Sequence, residues 1–332
     1  MNYPIDIVVL WVDGNDPKWI SDKKKYLIND EGVNTGISRY RDWNNMKYWF
    51  RSIEFFAPWI HKIHFVTYGH LPNFLNVNAP KLNIVNHKEI IPTEYLPTFN
   101  SEAIEININK IKGLAEHFIY FNDDMFLLKP VKKEDFFKNN VPVLEGLQGT
   151  ITSVGDQSNY PHLMLNDVDI INKHFNKRRQ TKNNWSKWYN YRYGPEIIRN
   201  IFLSPWKEYV GFKNAHLPVP FLKSTFDTVW EKEFKILDKT RQHRFRSFED
   251  VNQYIFRYWQ LASGNFEPHY QLGKRFEVSE KNIDEVVNEI VKQRHKEICL
   301  NDPDYEIDFE LCSSRLIDAF KQILPQKSSF EK

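Results

Sequence analysis

Apolar and polar positions predict alternating strands and helices over roughly the first 130 residues. The run from Ile5 to Trp11 is apolar except for Asp6, and turn-forming residues follow it, which is typical of a buried strand ending in a loop. Further short strands are predicted over residues 62–67, 82–85 and 118–121. Between them, helical spacing predicts a helix that ends before Pro58, with buried positions Met46, Trp49, Phe50, Ile53 and Phe56.

A second helix precedes the strand at 118–121. Asn100 or Ser101 can cap it, Gly113 lies near its end, and its apolar stripe is Ile104, Ile108, Ile111 and Leu114. This alternation indicates an α/β fold with a mainly parallel sheet covered by helices on both faces. Ligands of such sheets bind outside the carboxyl ends of the strands. The acidic loops at Asp13 and Asp124 are therefore expected at one edge.

The pattern divides the chain into residues 1–140, 141–222, 223–312 and 313–332. The second region is irregular and rich in aromatics and proline, which indicates an insertion. In the third, Ser247 and Asp250 resemble a capping box for a helix with apolar positions Val251, Tyr254, Ile255, Tyr258 and Leu261. The last region is expected to be an amphipathic helix that packs on its own domain, with a membrane-surface role as the alternative.

Charge and cysteine content narrow the class of protein. The 332 residues contain 45 Lys and Arg against 43 Asp and Glu, so no global basic field points to nucleic acid. Basic runs at 23–25 and 173–182 are typical of solvated loops, and contact with anionic lipid head groups is the sharper alternative. Two cysteines, no secretory leader pattern and no apolar run near the roughly 18 residues that span a bilayer predict a cytoplasmic protein.

The strongest chemical pattern is Asn122-Asp123-Asp124 directly after a strand. Divalent cations prefer carboxylate oxygens, although Asn-Asp-Asp is also ordinary turn chemistry. Asp13 and Glu105 could add oxygens to the same ion. For Glu105 the alternative role is a partner of the helix dipole in the first helical turn.

Two basic side chains complete the residue-based hypothesis. His216 lies in the stiff segment Ala215-His216-Leu217-Pro218, and a structural hydrogen bond is its alternative role. Arg246 can clamp a phosphate, with a surface ion pair as the alternative. No P-loop, dinucleotide fingerprint or hydrolase elbow occurs in the right setting. The residues alone predict a metal-dependent enzyme that acts on a phosphorylated ligand.

Several segments together resemble the Stealth family of bacterial hexose-1-phosphate transferases, which includes the animal N-acetylglucosamine-1-phosphotransferase α/β subunit. One block is residues 5–17, and a second runs from Arg39-Tyr40-Arg41-Asp42 through residues 96–105 to Asn122-Asp123-Asp124. Shorter blocks surround residues 214–218 and 244–251, and Ile298 to Asp302 resembles a late segment. The run Trp43-Asn44-Asn45-Met46 departs from the usual Asn-Gly-Glu-Leu-like pattern.

The resemblance implies a glycosyltransferase-A/Rossmann-like nucleotide-sugar domain formed by residues 1–140 and 223–312, with an acceptor-side insertion between them. It implies transfer of a hexose-1-phosphate from a UDP-sugar such as UDP-GlcNAc to a hydroxyl of an oligosaccharide or lipid-linked glycan, releasing UMP. The implied catalytic residues are His216, Arg246 and Asp123, and the implied ligands of Mg²⁺ or Mn²⁺ are Glu105, Asp124 and Asp302. Nucleotide-sugar binding would fall to Trp11, Val12, Asp13, Gly14, Arg41, Asn100, Ser101 and Asn122.

Two other classes remain open at this stage. A metal-dependent glycosyltransferase of the same fold would attack the sugar carbon and release UDP instead of UMP. A non-catalytic carbohydrate-binding protein would use the aromatic residues, 15% of the chain, as stacking surfaces. It would bind sugar without metal and would be indifferent to Asp124→Ala.

Overall fold

A computed structural model describes residues 3–27, 40–154, 158–270 and 272–332. Arg39, the first residue of the second resembling block, lies outside these residues. The strands are β1 Ile5–Trp11, β2 Ile63–Thr67, β3 Leu82–Asn86, β4 His117–Asn122, β5 Met125–Leu127, β6 Phe137–Lys138, β7 Val141–Leu144, β8 Val219–Leu222, β9 Glu267–Pro268, β10 Gly273–Glu277 and β11 Glu297–Asn301. The helices are α1 Pro17–Leu27, α2 Met46–Phe56, α3 Ser101–Glu105, α4 Lys133–Phe136, α5 Tyr160–His174, α6 Lys177–Asn183, α7 Trp185–Trp188, α8 Ile198–Phe202, α9 Lys223–Lys232, α10 Phe234–Gln242, α11 Tyr254–Ala262, α12 Ile283–Lys292 and α13 Phe309–Ile323.

The central sheet has the strand order β3-β2-β1-β4-β8. Its first four strands are parallel, and β8 runs antiparallel to β4. The four parallel strands are the ones predicted from the apolar runs, so the expectation of a mixed α/β fold with a mainly parallel sheet is confirmed. Their carboxyl ends share one edge, which brings the loop after Trp11 and the turn after Asn122 close together.

Helices cover both faces of this sheet. Alternate residues of β1 point to opposite faces, so Ile7 and Val9 join one hydrophobic cluster while Val8 joins another. The first cluster includes α2, α12 and α13, and the second includes α5, α9 and α11. The amphipathic helix predicted to end before Pro58 is confirmed, and it spans Met46–Phe56, since Pro58 cannot continue it.

A smaller sheet, β10-β11-β5, lies next to the turn that follows β4. The Leu300 backbone N–H donates to the Asp124 carbonyl at 2.9 Å, which fixes the turn between β4 and β5.

Helix α13 packs on its own domain through Leu316, Ala319 and Phe320, as the apolar spacing favoured. It begins at Phe309, before the predicted boundary at residue 313, because Asp308 caps it by accepting from the Leu311 N–H. Among the described residues, no helix is both long enough and apolar enough to cross a bilayer.

The predicted insertion is closed by a short two-stranded stem. Lys213 N donates to the Leu147 carbonyl at 2.9 Å, and Gly149 N donates to the Gly211 carbonyl at 3.3 Å. The predicted boundary at residue 222 is too late, because Val219–Leu222 forms strand β8 of the central sheet. Helices α5 to α8 lie within the loop that this stem closes.

Two helices begin or end differently from the prediction. Asn100 does cap α3 by accepting from the Glu102 N–H, but α3 stops at Glu105 and the chain continues as a 3-10 turn over Ile108–Lys110. The Ser247–Asp250 pair forms a turn and does not start α11, which begins at Tyr254. The Asp250 carboxylate accepts from the Asn100 amide and from the Ser247 N–H, so it ties two segments together instead of capping the helix.

A buried ion pair attaches the C-terminal tail to α2. The Arg51 guanidinium donates to both Glu331 carboxylate oxygens, at 2.8 and 2.7 Å, and to the Leu324 carbonyl at 2.8 Å. Removing one partner leaves the other charge buried, so Arg51→Ala should lower the free energy of unfolding by about 3 kcal/mol. Urea denaturation measures this, with the exposed Lys62→Ala as control. A loss below about 1 kcal/mol would contradict a structural role for the pair.

Candidate active site

A cavity of about 430 Å³ opens at the carboxyl edge of the central sheet. This volume lies in the usual range for a small-molecule site, roughly 300–1,000 Å³. Most of the predicted site residues line it, although they come from β1, α3, β4, β11 and the segments before β8 and α11. They are Trp11, Val12, Arg41, Ser101, Glu105, Asn122, Asp123, Asp124, His216, Arg246 and Asp302.

The described part of the lining is strongly acidic. Eight carboxyl side chains face three guanidinium groups, which belong to Arg41, Arg246 and Arg275. Burial lowers the pKa of the lining residue His87 to about 3, so that histidine adds no positive charge. An anionic ligand such as a diphosphate would be repelled by this excess of carboxylates unless a cation neutralised it.

Asp124 stands at the centre of the most compact group of donor atoms. Its Oδ2 lies 3.6 Å from His216 Nε2 and accepts from the Cys299 thiol at 3.3 Å. Among the described residues, Asp124, His216 and Cys299 form the group whose potential metal-ligand atoms all lie within 4.8 Å of one another. Asp124 Oδ1 is buried and has no hydrogen-bond partner among the described residues. An unpartnered buried carboxylate oxygen is the kind of atom that a bound cation satisfies.

Charge states distinguish the members of this group. Burial favours a protonated Asp124, but the hydrogen bonds to His216 and Cys299 outweigh it and lower the pKa of this carboxyl. Burial and the adjacent Asp124 raise the pKa of the Cys299 thiol far above its ordinary value. A neutral thiol is a poor ligand for a hard cation, which prefers oxygen. Cys299 therefore orients Asp124 as a donor, and the carboxylate is the better cation ligand.

His216 is held in an uncommon backbone conformation. Its φ of 53° lies in the left-handed region, which costs a non-glycine residue about 1 kcal/mol or more. Its Nδ1 lies 3.5 Å from the Tyr254 hydroxyl, so the ring is placed between Tyr254 and Asp124. Buried Arg257 supports this segment by donating to the Asn214 side chain at 2.9 Å. Surrounding contacts thus offset the strain and aim the imidazole into the cavity.

Arg246 is held by contacts with the first two residues of α3. Its Nη2 donates to the Ser101 hydroxyl at 2.8 Å, and its Nε lies 3.1 Å from a Glu102 carboxylate oxygen. Burial lowers the pKa of this guanidinium, but nearby Glu102 more than compensates, so Arg246 stays charged. This ion pair is partly buried, with the Arg246 side chain 18% exposed and Glu102 5% exposed, and it is not the surface pair that the sequence left open.

Two further carboxyls hold protons near neutral pH. Burial, Asp124 and Asp42 raise the pKa of Asp123 to about 8. Burial and Glu102 raise the pKa of Glu105 to about 7. Glu105 also contacts the Tyr120 hydroxyl at 3.1 Å and accepts from the Gln253 N–H at 3.3 Å. It is therefore an integral part of a buried network and not a solvated partner of the helix dipole.

The remaining predicted metal ligand, Asp302, lies at the end of β11. Its Oδ2 is 3.4 Å from Arg41 Nε, and the Arg41 guanidinium also stacks over the Phe309 ring at 4.8 Å. The three predicted ligands Glu105, Asp124 and Asp302 thus line one cavity. The tightest donor group contains only Asp124 of these three, so the division of ligand roles stays a prediction.

Three residues predicted to bind the nucleotide-sugar do not line the cavity. Asp13 accepts from the Asn15 N–H and shapes the loop after β1. A side chain at Gly14 would meet the Tyr40 carbonyl oxygen at 2.0 Å, so glycine permits that close approach. Asn100 is completely buried and donates to the Asp250 carboxylate at 2.9 Å. These three residues support the walls of the cavity.

The sequence hypothesis missed several lining residues. Asp42 and Glu102 line the cavity and lie inside the segments that resemble the Stealth family. Their position in those segments was the signal that could have identified them as site residues. Arg275 and Tyr254 lie outside any quoted chemical motif, and their place in the cavity depends on long-range packing. Trp43, Asn45 and Met46, where the chain departs from the family pattern, also line the cavity.

The raised pKa of Glu105 predicts a pH-dependent stability. Between pH 4.5 and about 7 the unfolded chain ionises this group while the folded chain keeps its proton, so stability is full below the ordinary pKa and falls as pH rises. Without divalent ions, wild type should lose about 3 kcal/mol relative to Glu105→Gln between pH 5 and pH 8. Urea denaturation at both pH values measures the difference. The exposed Glu231→Gln is the control, and a pH-independent difference for Glu105→Gln would contradict the prediction.

The fold and cavity define an α/β protein with an acidic ligand site at the carboxyl edge of a parallel sheet. Family models for Stealth conserved region 1 and conserved region 2 match residues 3–31 and 39–143. Together with the full-length relatives described next, they show that the chain belongs to the Stealth family. The resemblance inferred from the sequence is confirmed.

Curated relatives match almost the whole chain. The capsular polysaccharide phosphotransferase WcwK of Streptococcus pneumoniae is 42% identical over 99% of this chain and 98% of its own length. The receptor polysaccharide phosphotransferase WefC of Streptococcus gordonii is 40% identical over 98% of both chains. The exopolysaccharide phosphotransferase cps2G of Lactiplantibacillus plantarum is 38% identical over 99% of this chain and 97% of its own length.

Proposed function

We propose that this Stealth chain is a polysaccharide phosphotransferase that moves a hexose-1-phosphate from a UDP-sugar to a hydroxyl of a growing cell-surface polysaccharide. The observation that carries the proposal is the acidic cavity, which is lined both by Arg246 and by His216 beside Asp124. The names of the full-length relatives support the phosphotransferase class. The donor, a glycosyltransferase-like fold, a cytoplasmic site of action and a glycan or lipid-linked acceptor belong to the proposal.

A divalent cation, Mg²⁺ or Mn²⁺, is part of this proposal. The described residues fit it, because Asp124 presents an unpartnered buried oxygen and the lining carries a large excess of carboxyls. Asp124 and Asp302 would hold the ion, with Glu105 as the third predicted ligand. When bound, the ion would neutralise the diphosphate of the donor.

In the proposed reaction an acceptor hydroxyl attacks the β-phosphorus of the UDP-sugar. A new oxygen–phosphorus bond forms, the bond to the bridging oxygen breaks, and UMP leaves while the hexose stays on the transferred phosphate. His216 takes the hydroxyl proton, and the ionised Asp124 at 3.6 Å stabilises the resulting imidazolium. Asp123, with a pKa of about 8, is the second candidate base.

Arg246 would stabilise the charge that builds on the phosphoryl oxygens. Ser101 and Glu102 hold its guanidinium before substrate arrives, so little reorganisation is needed during the reaction. Buried Arg257 is a positioning residue, since it acts through Asn214 on the segment that carries His216.

Identifying the nucleotide product tests the proposal. Purified protein is incubated with a panel of UDP-sugars, Mg²⁺ or Mn²⁺, and an oligosaccharide or lipid-linked acceptor. Release of UMP that needs both metal and acceptor is the expected result. Release of UDP would show attack at the sugar carbon and would replace the proposal with a glycosyltransferase. Sugar binding without turnover or metal dependence would point to a carbohydrate-binding protein.

A further inference from the structure

A strongly basic segment lies inside the insertion, away from the proposed chemistry. Residues 177–208 contain eight Lys and Arg against two Glu, a net charge of +6. The whole chain carries +2, so the remaining residues together carry −4. The segment spans α6, α7 and α8 and forms one positive region on a chain that is otherwise acidic.

The same segment exposes an unusual concentration of large apolar side chains. Of the seventeen exposed large hydrophobic residues in the described chain, six fall between residues 185 and 206. Their exposed fractions run from 50% to 81%, and the residues are Trp185, Tyr191, Ile198, Ile201, Phe202 and Trp206. Burying such side chains against their own domain is the usual outcome, so this exposure indicates a binding surface.

The segment closes on itself and has a buried side. Lys177 Nζ donates to the Leu203 carbonyl at 2.5 Å, and Arg178 donates to the Pro205 carbonyl at 3.5 Å, which joins the start of α6 to the end of α8. Trp188 and Asn200 are fully buried, and the Asn200 amide donates to the Gly146 carbonyl at 2.8 Å. With these side chains turned inward, the apolar side chains above are left on the solvent side together with exposed Arg178, Arg179, Lys182, Arg199 and Lys207, whereas Lys177 is buried.

We propose that this surface docks the protein on an anionic lipid membrane. Trp and Tyr favour the boundary between head groups and hydrocarbon, while Arg and Lys bind anionic head groups. Exposed Ile198, Ile201 and Phe202 favour a surface with hydrocarbon beneath it over a purely polar polyanion. Two copies meeting face to face would oppose one +6 region to another, which disfavours a dimer through this surface.

Ion pairs tie the basic segment to the stem, next to the segment that carries His216. Lys213, at the base of the stem, lies 3.3 Å from Glu196 in the basic segment and 3.2 Å from Glu145. Docking through α6 to α8 would hold the cavity close to the membrane, where a lipid-linked acceptor is concentrated. That last consequence rests on the proposed function, whereas docking itself does not.

Vesicle flotation of the full chain tests the docking directly. Wild type should bind vesicles that contain phosphatidylglycerol and phosphatidylcholine, with little binding to phosphatidylcholine alone. The triple variant Arg178→Ser, Arg179→Ser, Lys182→Ser should weaken binding by about 100-fold, at roughly fivefold per cation. The double variant Phe202→Ser, Trp206→Ser should weaken it by about tenfold or more. Raising the salt concentration should weaken binding by wild type.

Matched variants elsewhere control for charge, apolarity and folding. Replacing the exposed Lys232, Lys235 and Lys281 by Ser, or Phe55 and Phe234 by Ser, should leave binding and the unfolding temperature unchanged. Equal binding by the basic-surface and control variants, or no preference for anionic vesicles, overturns the proposal. The proposal is also overturned if wild type forms a dimer and binds no vesicles, while the Phe202→Ser, Trp206→Ser variant is monomeric. No step of this assay needs a sugar donor, so its failure is distinguishable from failure of the proposed activity.

Discussion

Asp124→Asn should lower kcat for sugar-phosphate transfer by about 10³-fold or more while leaving the fold intact. The substitution removes the charge that stabilises a protonated His216 at 3.6 Å, and it weakens the buried oxygen available to a cation. The amide keeps the size of the side chain, and its oxygen can still accept from the Cys299 thiol. Steady-state kinetics, with UMP as the measured product, give the change in kcat.

Two controls separate this effect from general damage to the protein. The exposed Asp169→Asn makes the same chemical change in α5, where it should alter kcat less than twofold. Titration with Mg²⁺, followed by protection against thermal unfolding, should show weaker cation binding in Asp124→Asn than in wild type. An Asp124→Asn enzyme with more than a tenth of wild-type kcat would refute the central role of this carboxylate.

Arg246→Lys should lower kcat/KM by about 10²-fold, and Arg246→Ala by about 10³-fold. Lysine keeps a positive charge but cannot offer the planar fork that a phosphoryl group matches. Arg246→Ala also removes the cation that pairs with the buried Glu102 carboxylate, which should cost about 3 kcal/mol of stability. Kinetics and urea denaturation are measured on the same preparations, with Arg244→Lys and Arg244→Ala as neighbouring controls.

Pairing Arg246→Ala with Glu102→Gln separates the two roles of the guanidinium. The second substitution removes the buried Glu102 charge, so the double variant should recover most of the lost stability. Activity should not return, because the phosphate-binding group is still absent. Recovery of activity together with stability would mean that Arg246 serves the fold alone.

The central sheet was predictable because its strands are short apolar runs between clear turn signals. Ile5–Trp11 was located exactly, and the acidic residues after β1 and β4 were placed at one edge by the parallel topology alone. Helix α2 was equally clear because Pro58 punctuates a regular apolar stripe. These features depend on local sequence, and local sequence was sufficient for them.

Features that depend on distant partners were less accessible. Helix α3 ends early although its apolar stripe continues, since Ile108 and Ile111 are buried from a 3-10 turn as effectively as from a helix. The approach of His216 to Asp124 requires β8 to return beside β4, and no local pattern encodes that pairing. The sequence did not show which aromatic residues of the insertion are exposed, because composition does not distinguish inner from outer rings.

The stem at Leu147–Gly149 and Gly211–Lys213 allows the region that it encloses to be replaced by the corresponding region of a relative. Arg257 pins both of its ends, donating to the Asn214 side chain at 2.9 Å and to the Glu145 carbonyl at 3.3 Å. A loop whose ends are fixed in this way can change length and sequence at little cost to the scaffold that holds His216 and Asp124. Under the proposed function, grafting residues 150–210 from one relative into another should change acceptor preference and leave the scaffold of His216 and Asp124 unchanged.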